Sequence, residues 1–527
     1  MANLLERILN WRNATPVEQV TAETEREVTA DYVSNPSYSN LFSVSYNGEK
    51  NVGEIGPIKN YLMDYDGLRA RAWQSFLESE VTQTVLNKFT LWVVASGLRL
   101  QAQPNQTVLK SEGIDIDVEL FNEIVEARFS VWAKSKSADY SGMNNLVTIG
   151  QEAFKGSKTG GDMLVVLRTI NKTLKVQIID GVHLSSPLMS PTLPNGNVIK
   201  NGIETDPKGQ HIAFYVKTGF NKFERIEAIS KSSGLTTAFL VYGKRYRVDN
   251  NRGIPIVATV LETLAKLERY KEATVATAEE IAKVVYQIVH GTASTGENPF
   301  SKQLAKQLDL GNQTPVEING KALADQVQST TNKQAINMPI GAEIKSMNHG
   351  NGHADFKNFY QPNVELVCAA IGIPPNVAMS IYNDSFSASR AATKDWEHTI
   401  LVNREDFSYQ FYQKIYEYWL HLEILKFKID APGYLEAFYE NNEMLLSAYR
   451  AARFTGPLFP HIDPMKEAKA ERIKLGPLAE NIPLTTIESA TEALNSGESD
   501  SNMAQFSKEL KYAKELKLET KEDAKVD

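Results

Sequence analysis

The strongest constraint on the fold sits in residues 366–396, LVCAAIGIPPNVAMSIYNDSFSASRAATKDW. An apolar helix face, VELVCAAIGI, runs into Gly372, the residue type that takes up positive φ just past a helix end. Pro374 and Pro375 follow, and neither has the backbone N–H that another turn would need. A short polar loop comes next, and small residues start a new helix near Ser387. Any fold built on this stretch must therefore join two helices through a hard stop. Gly372, Pro374 and Pro375 are its candidate joint residues. Cys368 is the single cysteine; it lies on the apolar face, so a buried core thiol is expected and an intramolecular disulfide is excluded.

At 527 residues the chain is too long for one simple core, so several domains are expected. With 42% hydrophobic and 23% charged residues, most of it falls in the globular range. No apolar run approaches the roughly 20 residues of a membrane span. The amphipathic start, MANLLERILNWRN, lacks the apolar core of a signal peptide. A soluble, intracellular product is the expectation. The net charge of −8 argues against a protein that wraps nucleic acid. It is compatible with a wall past which DNA slides, because tight binding requires many phosphate contacts.

Periodicity predicts an α+β chain. Residues 1–60 form an irregular arm after a short helix from Leu4 to Trp11. From Leu68 to Val94 the residues Trp73, Phe76, Leu77, Val81, Val85, Phe89, Trp92 and Val93 fall at helical spacing, and Ser96-Gly97 ends the run. GLRLQAQ reads as a strand. Two further helices are expected over about Val118–Ala133 and Asn145–Lys155. The runs DMLVVLRTI, LKVQIID and HIAFYVKT are strand-like, with Asn195-Gly196 and Asn201-Gly202 as turn dipeptides between strands. LVYGKRYRVDNNRGIP adds an edge-like strand. The longest predicted helix runs from Ile256 to Val289; its thin apolar stripe and Ala/Thr-rich centre suit packing against copies of itself. Residues 291–335 are polar, MPIGAEIKSM is strand-like, and NHGNGHAD is expected as a flexible loop. Helices follow to the end, one of them with a dense aromatic face over 404–426.

The chemistry-bearing motifs have simpler structural readings. GSKTGGD (156–162) inverts the order of a phosphate loop, because its glycines lead into a strand instead of opening a helix. It is expected as a helix-to-strand turn. His349, His353 and Asp355 sit around Gly-Asn-Gly, where two imidazoles do not share a helix face, so no metal site is expected. Asp64 with Asp66, and Asp115 with Asp117, alternate with other residues as surface turns or strands do. No catalytic residue and no cofactor is expected. Asp463 and Pro464 fit the N-cap and first position of a helix, with Glu467 in its first turn.

Three blocks resemble the lambda-type portal proteins of tailed bacteriophages, in the same order. The first is LRARAWQSFLESEVTQTVLNKFTLWVVASGLRLQ, with Arg69 and Arg71 near its start. The second joins NGIETDPKGQHIAFYV to RGIPIVATVLETLAKLERYKEATVATA. The third is the stop at Gly372–Pro375 followed by PLFPHIDPMKEAKAERIKLG, with Asp463, Pro464, Lys466 and Glu467.

The resemblance, which covers residues 68–476, implies a portal fold: an α/β wing, a helical stem, a small clip and a helical crown. On that basis residues 1–60 are the arm and 61–254 the wing. Residues 255–290 are a stem helix, and 291–335 the clip with the returning stem. Residues 336–400 return through the wing, 401–478 form its helical region, and 479–527 are crown and tail. A tunnel loop of Met347, Asn348, His349, Gly350, Asn351, Gly352 and His353 would face DNA.

The implied assembly is a homo-oligomeric, dodecameric ring at one capsid vertex of the virion, assembled in the host cytoplasm. Double-stranded DNA would pass through it without base-specific contact. The implied partners are the terminase large subunit, the major capsid protein and a head-completion adaptor; no membrane is involved. Two alternatives remain open on the residues alone, a virion or scaffold-type interaction protein without a channel, and a carboxylate-based hydrolase.

Overall fold

The computed structural model describes residues 18–21, 64–187, 193, 195–283 apart from 232 and 249, 287–290, 342–345, 352–381, 386–457, 464–475, 484–494 and 499–515. The chain divides into two compact units, one of residues 1–265 with 364–527 and one of residues 266–363. It is a mixed helix and sheet protein. The expected helix Leu4–Trp11 lies outside the described residues.

The first unit starts with strand β1 (Glu18–Thr21). The helix expected over 68–94 is two helices, α1 (Tyr65–Glu78) and α2 (Glu80–Val93), separated by an extended Ser79. No Gly or Pro marks that break. Asp64 caps α1, accepting from the Gly67 N–H at 2.9 Å. Of the predicted stripe, Val81, Val85, Phe89 and Val93 are buried and Trp73, Phe76 and Trp92 half-buried, but Leu77 is exposed; Leu68 and Ala72 form the buried face of α1. Strand β2 (Arg99–Ala102) and helices α3 (Gln106–Ser111) and α4 (Val118–Lys134) follow. Asp117 caps α4 through the N–H groups of Glu119 and Leu120, both at 3.1 Å. Two of the four acidic residues singled out in pairs are thus helix caps.

Helix α5 (Leu146–Gly160) is longer than its expected end at Lys155 and takes in most of GSKTGG. Tertiary packing overrides the poor propensity of these glycines. At Gly156 a Cβ would lie 2.8 Å from the Met163 sulfur, so a larger residue there would have to displace the Met163 side chain. Strands β3 (Asp162–Ile170), β4 (Thr173–Asp180), β5 (Val198–Lys200), β6 (Ile203–Thr205), β7 (His211–Gly219), β8 (Lys222–Glu227) and β9 (Ala238–Tyr242) come next. They form antiparallel sheets of order β4-β3-β9 and β1-β8-β7-β6-β5. Leu164, Val166 and Leu240 of the first sheet share one core with Ile203, Phe214, Val216 and Ile226 of the second. As expected, β9 is an edge strand.

Helix α6 (Leu261–Lys283) is shorter at both ends than the predicted Ile256–Val289. Residues 256–260 make tighter turns, with Ala258 donating to Pro255 and Val260 to Val257, while Ile256, Val257 and Ala258 are buried. At the far end, β10 (Gln287–His290) pairs antiparallel with β11 (Ala342–Lys345). The β-branched Ile288-Val289 suits that ladder better than a helix. The helix expected over 255–290 is therefore corrected to 261–283; residues 291–335 lie outside the described residues.

Helices α7 (Gly352–Ile371) and α8 (Pro375–Met379) precede a long run. In that run α9 (Phe386–Phe407) passes through a π-helical turn at Ser408–Tyr412 into α10 (Gln413–Leu425). Its expected aromatic face is buried. Phe129 meets Trp419 edge to face at 5.1 Å, and Phe154 meets Phe407 at 5.1 Å. Pairs of this kind add about 0.5–1.5 kcal/mol each beyond burial. Helices α11 (Tyr434–Glu440) and α12 (Glu443–Arg450), strand β12 (Ala452–Thr455) paired with β2, and helices α13 (Pro464–Leu475), α14 (Ile487–Ala493) and α15 (Ser499–Glu515) complete the described chain. Met503, Phe506 and Tyr512 on α15 are exposed. Pro464 opens α13 as predicted, and Asp463 lies outside the described residues.

Candidate functional site

Residues 266–363 interrupt the larger unit, so the chain leaves and re-enters that unit once. Both connections end in elements that fix the backbone.

Re-entry runs through the predicted joint. Gly372 has φ +89, and its N–H donates to Cys368 at 2.9 Å and to Ala369 at 3.1 Å. The Ile373 N–H donates to Cys368 at 3.0 Å, so the last carbonyls of α7 are satisfied locally. Pro374 occupies the N-cap of α8 with ψ 134, and Pro375 its first position. Ser380 closes α8 in the left-handed region, and its hydroxyl accepts from Lys88 Nζ on α2 at 3.0 Å. Ile373, Val377 and Ala378 are buried, and Trp396 on α9 meets Phe89 on α2 edge to face at 4.8 Å. Cys368 is fully buried, and burial pushes its thiol up to about 11, so it is an inert core group.

Of the predicted tunnel-loop residues, Met347, Asn348, His349, Gly350 and Asn351 lie outside the described residues. Gly352 and His353 do not belong to a loop; they open α7. The helix gains support downstream, where Tyr270 of α6 stacks on Phe356 at 5.7 Å and meets Phe359 at 4.4 Å. Tertiary contact thus extends a helix back into a stretch whose glycines argue for a loop.

The exit toward α6 is held by charges. Asp162, at the start of β3, is fully buried between two guanidinium groups. Arg69 Nη2 reaches its Oδ1 at 2.6 Å. Arg252 reaches Oδ2 through Nε at 2.7 Å and Oδ1 through Nη2 at 2.8 Å, and the Gly253 N–H donates to Oδ2 at 2.8 Å. Arg252 also donates to the carbonyls of Gly181 at 2.6 Å and Asn201 at 3.0 Å, and Arg69 to Gly160 at 2.8 Å. Burial pushes the Asp162 carboxyl up, but Arg252 and then Arg69 outweigh it and hold the group below the usual carboxylate range. Gly161 has φ +104 and lies against this node: a Cβ there would sit 2.6 Å from the Gly253 carbonyl oxygen. Next to it, Lys158 donates to the Gly243 carbonyl at 2.7 Å, and burial lowers its pKa to about 8.

Arg404 makes a third fixed point. It is buried and donates to the carbonyls of Val93 at 3.0 Å, Trp92 at 2.9 Å, Gly456 at 3.0 Å and Pro457 at 2.8 Å. It thereby caps α2 from α9 and ties in the segment after β12.

Sequence reasoning marked Arg69 only by its place in a block, and it quoted Arg252 and Gly253 without a role. Asp162 and Arg404 were missed. A Gly-Gly-Asp turn into an apolar strand was the available signal for Asp162; a single Arg on a helix gives none. What these groups do is mechanical: each carboxylate or guanidinium is occupied by internal partners and fixes backbone. No helix among the described residues is long and apolar enough to cross a membrane.

Residues 49–404 match the family described as phage portal protein, lambda family. The match takes in more than half of the chain, including Arg69, Asp162, Arg252, Gly372 and Arg404. The chain belongs to this family. No curated protein matches it. Among solved structures it is similar to a chain of the neck of an empty GTA particle computed with C6 symmetry, at 10% identity and a TM-score of 0.47, over 82% of this chain and 94% of that one. A second is the virion of a native gene transfer agent particle, at 10% identity and 0.44, over the same shares. A third is the neck of a native GTA particle computed with C12 symmetry, at 11% identity and 0.36, over 76% and 97%.

Proposed function

We propose that twelve copies of this chain form a ring at one capsid vertex of the virion, a channel through which double-stranded DNA is packaged and later ejected. The single observation that carries this reading is the family match over residues 49–404. The two anchored connections support it. A channel wall bears load when DNA moves, and a unit attached through a buried ion-pair node and a proline joint transmits load without local unfolding. The role is structural and not catalytic. In this reading the residues from Met347 to His353 touch the duplex, with α7 opening at Gly352 to carry that contact back to the joint. The stretch 291–335 is the docking site for the terminase large subunit and then for a head-completion adaptor, and the wing meets the major capsid protein.

Electron microscopy of the purified protein tests the assembly. Closed rings with a central hole are expected, and a compact monomer at all concentrations would sink the reading. Replacing Asn348–Gly352 by a Gly-Ser linker tests the DNA contact: rings should still form while packaged DNA falls. Normal packaging and retention would remove the loop from the channel.

A further inference from the structure

A cleft of about 630 Å³ opens between residues 233–236, one face of α10 and the helix pair α11–α12. That size suits a small ligand or a protruding side chain. Helix α10 lines it with Lys414, Tyr418 and His421, spaced three and four residues apart on one helix face. Phe438, Tyr439 and Arg450 form the opposite wall.

Unlike Arg69 and Arg252, which are paired with Asp162, Arg450 has no carboxylate in ion-pair contact among the described residues. Its Nε donates to the Tyr434 hydroxyl at 3.0 Å, and its Cζ lies 5.6 Å and 6.0 Å from the rings of Tyr434 and Phe438. Its Nη2 has no hydrogen-bond partner. His421 is 3% exposed, and its Nδ1 also has no partner. Its ring packs 4.3 Å from that of Phe438. Burial, and then the Arg450 charge, lower the imidazole to about 3, so it is neutral at physiological pH and carries one N–H.

Two other polar groups at the cleft are engaged, and Lys414 Nζ lies 4.6 Å from the centre of the Phe239 ring. The Tyr418 hydroxyl is paired with Thr169 at 3.0 Å, and Glu417 accepts from Gln413 at 2.9 Å. An unpaired cation beside an unsatisfied imidazole nitrogen, with aromatic faces next to both, is the chemistry that recognises an anion on an apolar body. Glu417 and Glu443 also line the cleft, which disfavours a doubly charged phosphate and leaves a singly charged group.

We propose that this cleft binds a carboxylate, with Arg450 Nη2 and the His421 Nδ1–H donating to its oxygens and the body of the ligand packing on Phe438 and Tyr439. The carboxylate is carried either by a small organic acid or by an acidic side chain of a second copy of this chain. The inference goes beyond the channel reading and does not rest on it.

The test uses 4-fluorophenylacetate, followed by 19F line broadening, on each assembly state of the full-length protein separated by gel filtration. Binding is expected for the acid and not for 4-fluorobenzyl alcohol. It should weaken about tenfold or more in Arg450→Gln, which removes the charge. The same loss is expected in Thr236→Trp, which fills the mouth from an exposed position without touching a charge. Binding to every assembly state points to a free acid. Binding to the monomer alone, with Arg450→Gln lowering the yield of larger assemblies, points to a neighbour's side chain. Two results would overturn the proposal: binding equal in both variants and the wild type, or no binding in any state with assembly unchanged in Arg450→Gln.

Discussion

Gly161 and Gly372 both end a helix at positive φ, and the structure holds the two ends in opposite ways. A Cβ on Gly161 would meet the Gly253 carbonyl oxygen at 2.6 Å and Pro255 at 3.1 Å, and the neighbouring Asp162 is enclosed by two arginines. A Cβ on Gly372 would meet nothing within 4 Å. The stop at Gly372 is therefore made by backbone preference and by the prolines behind it. The stop at Gly161 is made by three segments converging from far along the chain. The same local signal marks a self-sufficient joint in one place and a tertiary lock in the other.

The largest effect should come from the lock. Asp162→Asn leaves Arg252 buried without its ion-pair partner and Arg69 with only the longer contact to Asp180 at 3.9 Å, a loss of about 3–5 kcal/mol that denaturant unfolding would register. The same carboxylate predicts an acid limit. Its folded pKa is depressed, so its stabilisation is complete above the ordinary value of 3.8 and is lost as pH falls through the folded value. Asp162→Asn should lack that component of the acid transition.

Gly161→Ala combines backbone strain with a carbonyl clash and should cost about 2–4 kcal/mol, against about 1 kcal/mol for Gly372→Ala, where strain acts alone. Equal losses in thermal or denaturant unfolding would break the comparison.

Lys158 sharpens it from the alkaline side. Its folded pKa of about 8 lies below the ordinary 10.5, so between those values the unfolded chain binds more protons and stability rises with pH. The rise is on the order of 2 kcal/mol. Tyr215 and the half-buried Tyr242, both raised to about 12, pull stability down above pH 10. The measurement is thus the difference between wild type and Lys158→Met from pH 8 to 10, and Lys158→Met should lose the slope.

The smallest effect belongs to the joint. Pro375→Ala at the first helical position should cost about 0.5 kcal/mol through unfolded-state entropy, with the Gly372 hydrogen bonds unchanged. A loss as large as that of Gly161→Ala would mean that the joint also depends on distant contacts.

Much of the framework was legible along the chain. The stop at Gly372–Pro375, the strand series from Asp162 to Tyr242, the aromatic face after residue 404 and the buried Cys368 follow from residue type and period. The errors cluster where distant packing decides. The first long helix breaks at Ser79 with no local breaker. The glycines of GSKTGG stay helical because Met163, Trp73 and Arg69 approach them closely. Helix α6 yields at Gln287 to a strand whose partner lies more than 50 residues away. The predicted DNA-facing residues fall mainly outside the described chain, and the two that are described open a helix.

Turn and cap chemistry needs only neighbours within a few residues, so the sequence alone determined the helix stop at Gly372; the caps at Asp64 and Asp117 are as local, but their alternation with other residues reads as surface turns or strands. The sequence also determined which faces are apolar. Only the tertiary structure decided that Asp162 belongs with Arg69, 93 residues away, and Arg252, 90 residues away. A buried charge must find an opposite charge, but nothing local says where along the chain that partner lies. The same holds for Arg404, whose four carbonyl partners come from residues 92–93 and 456–457.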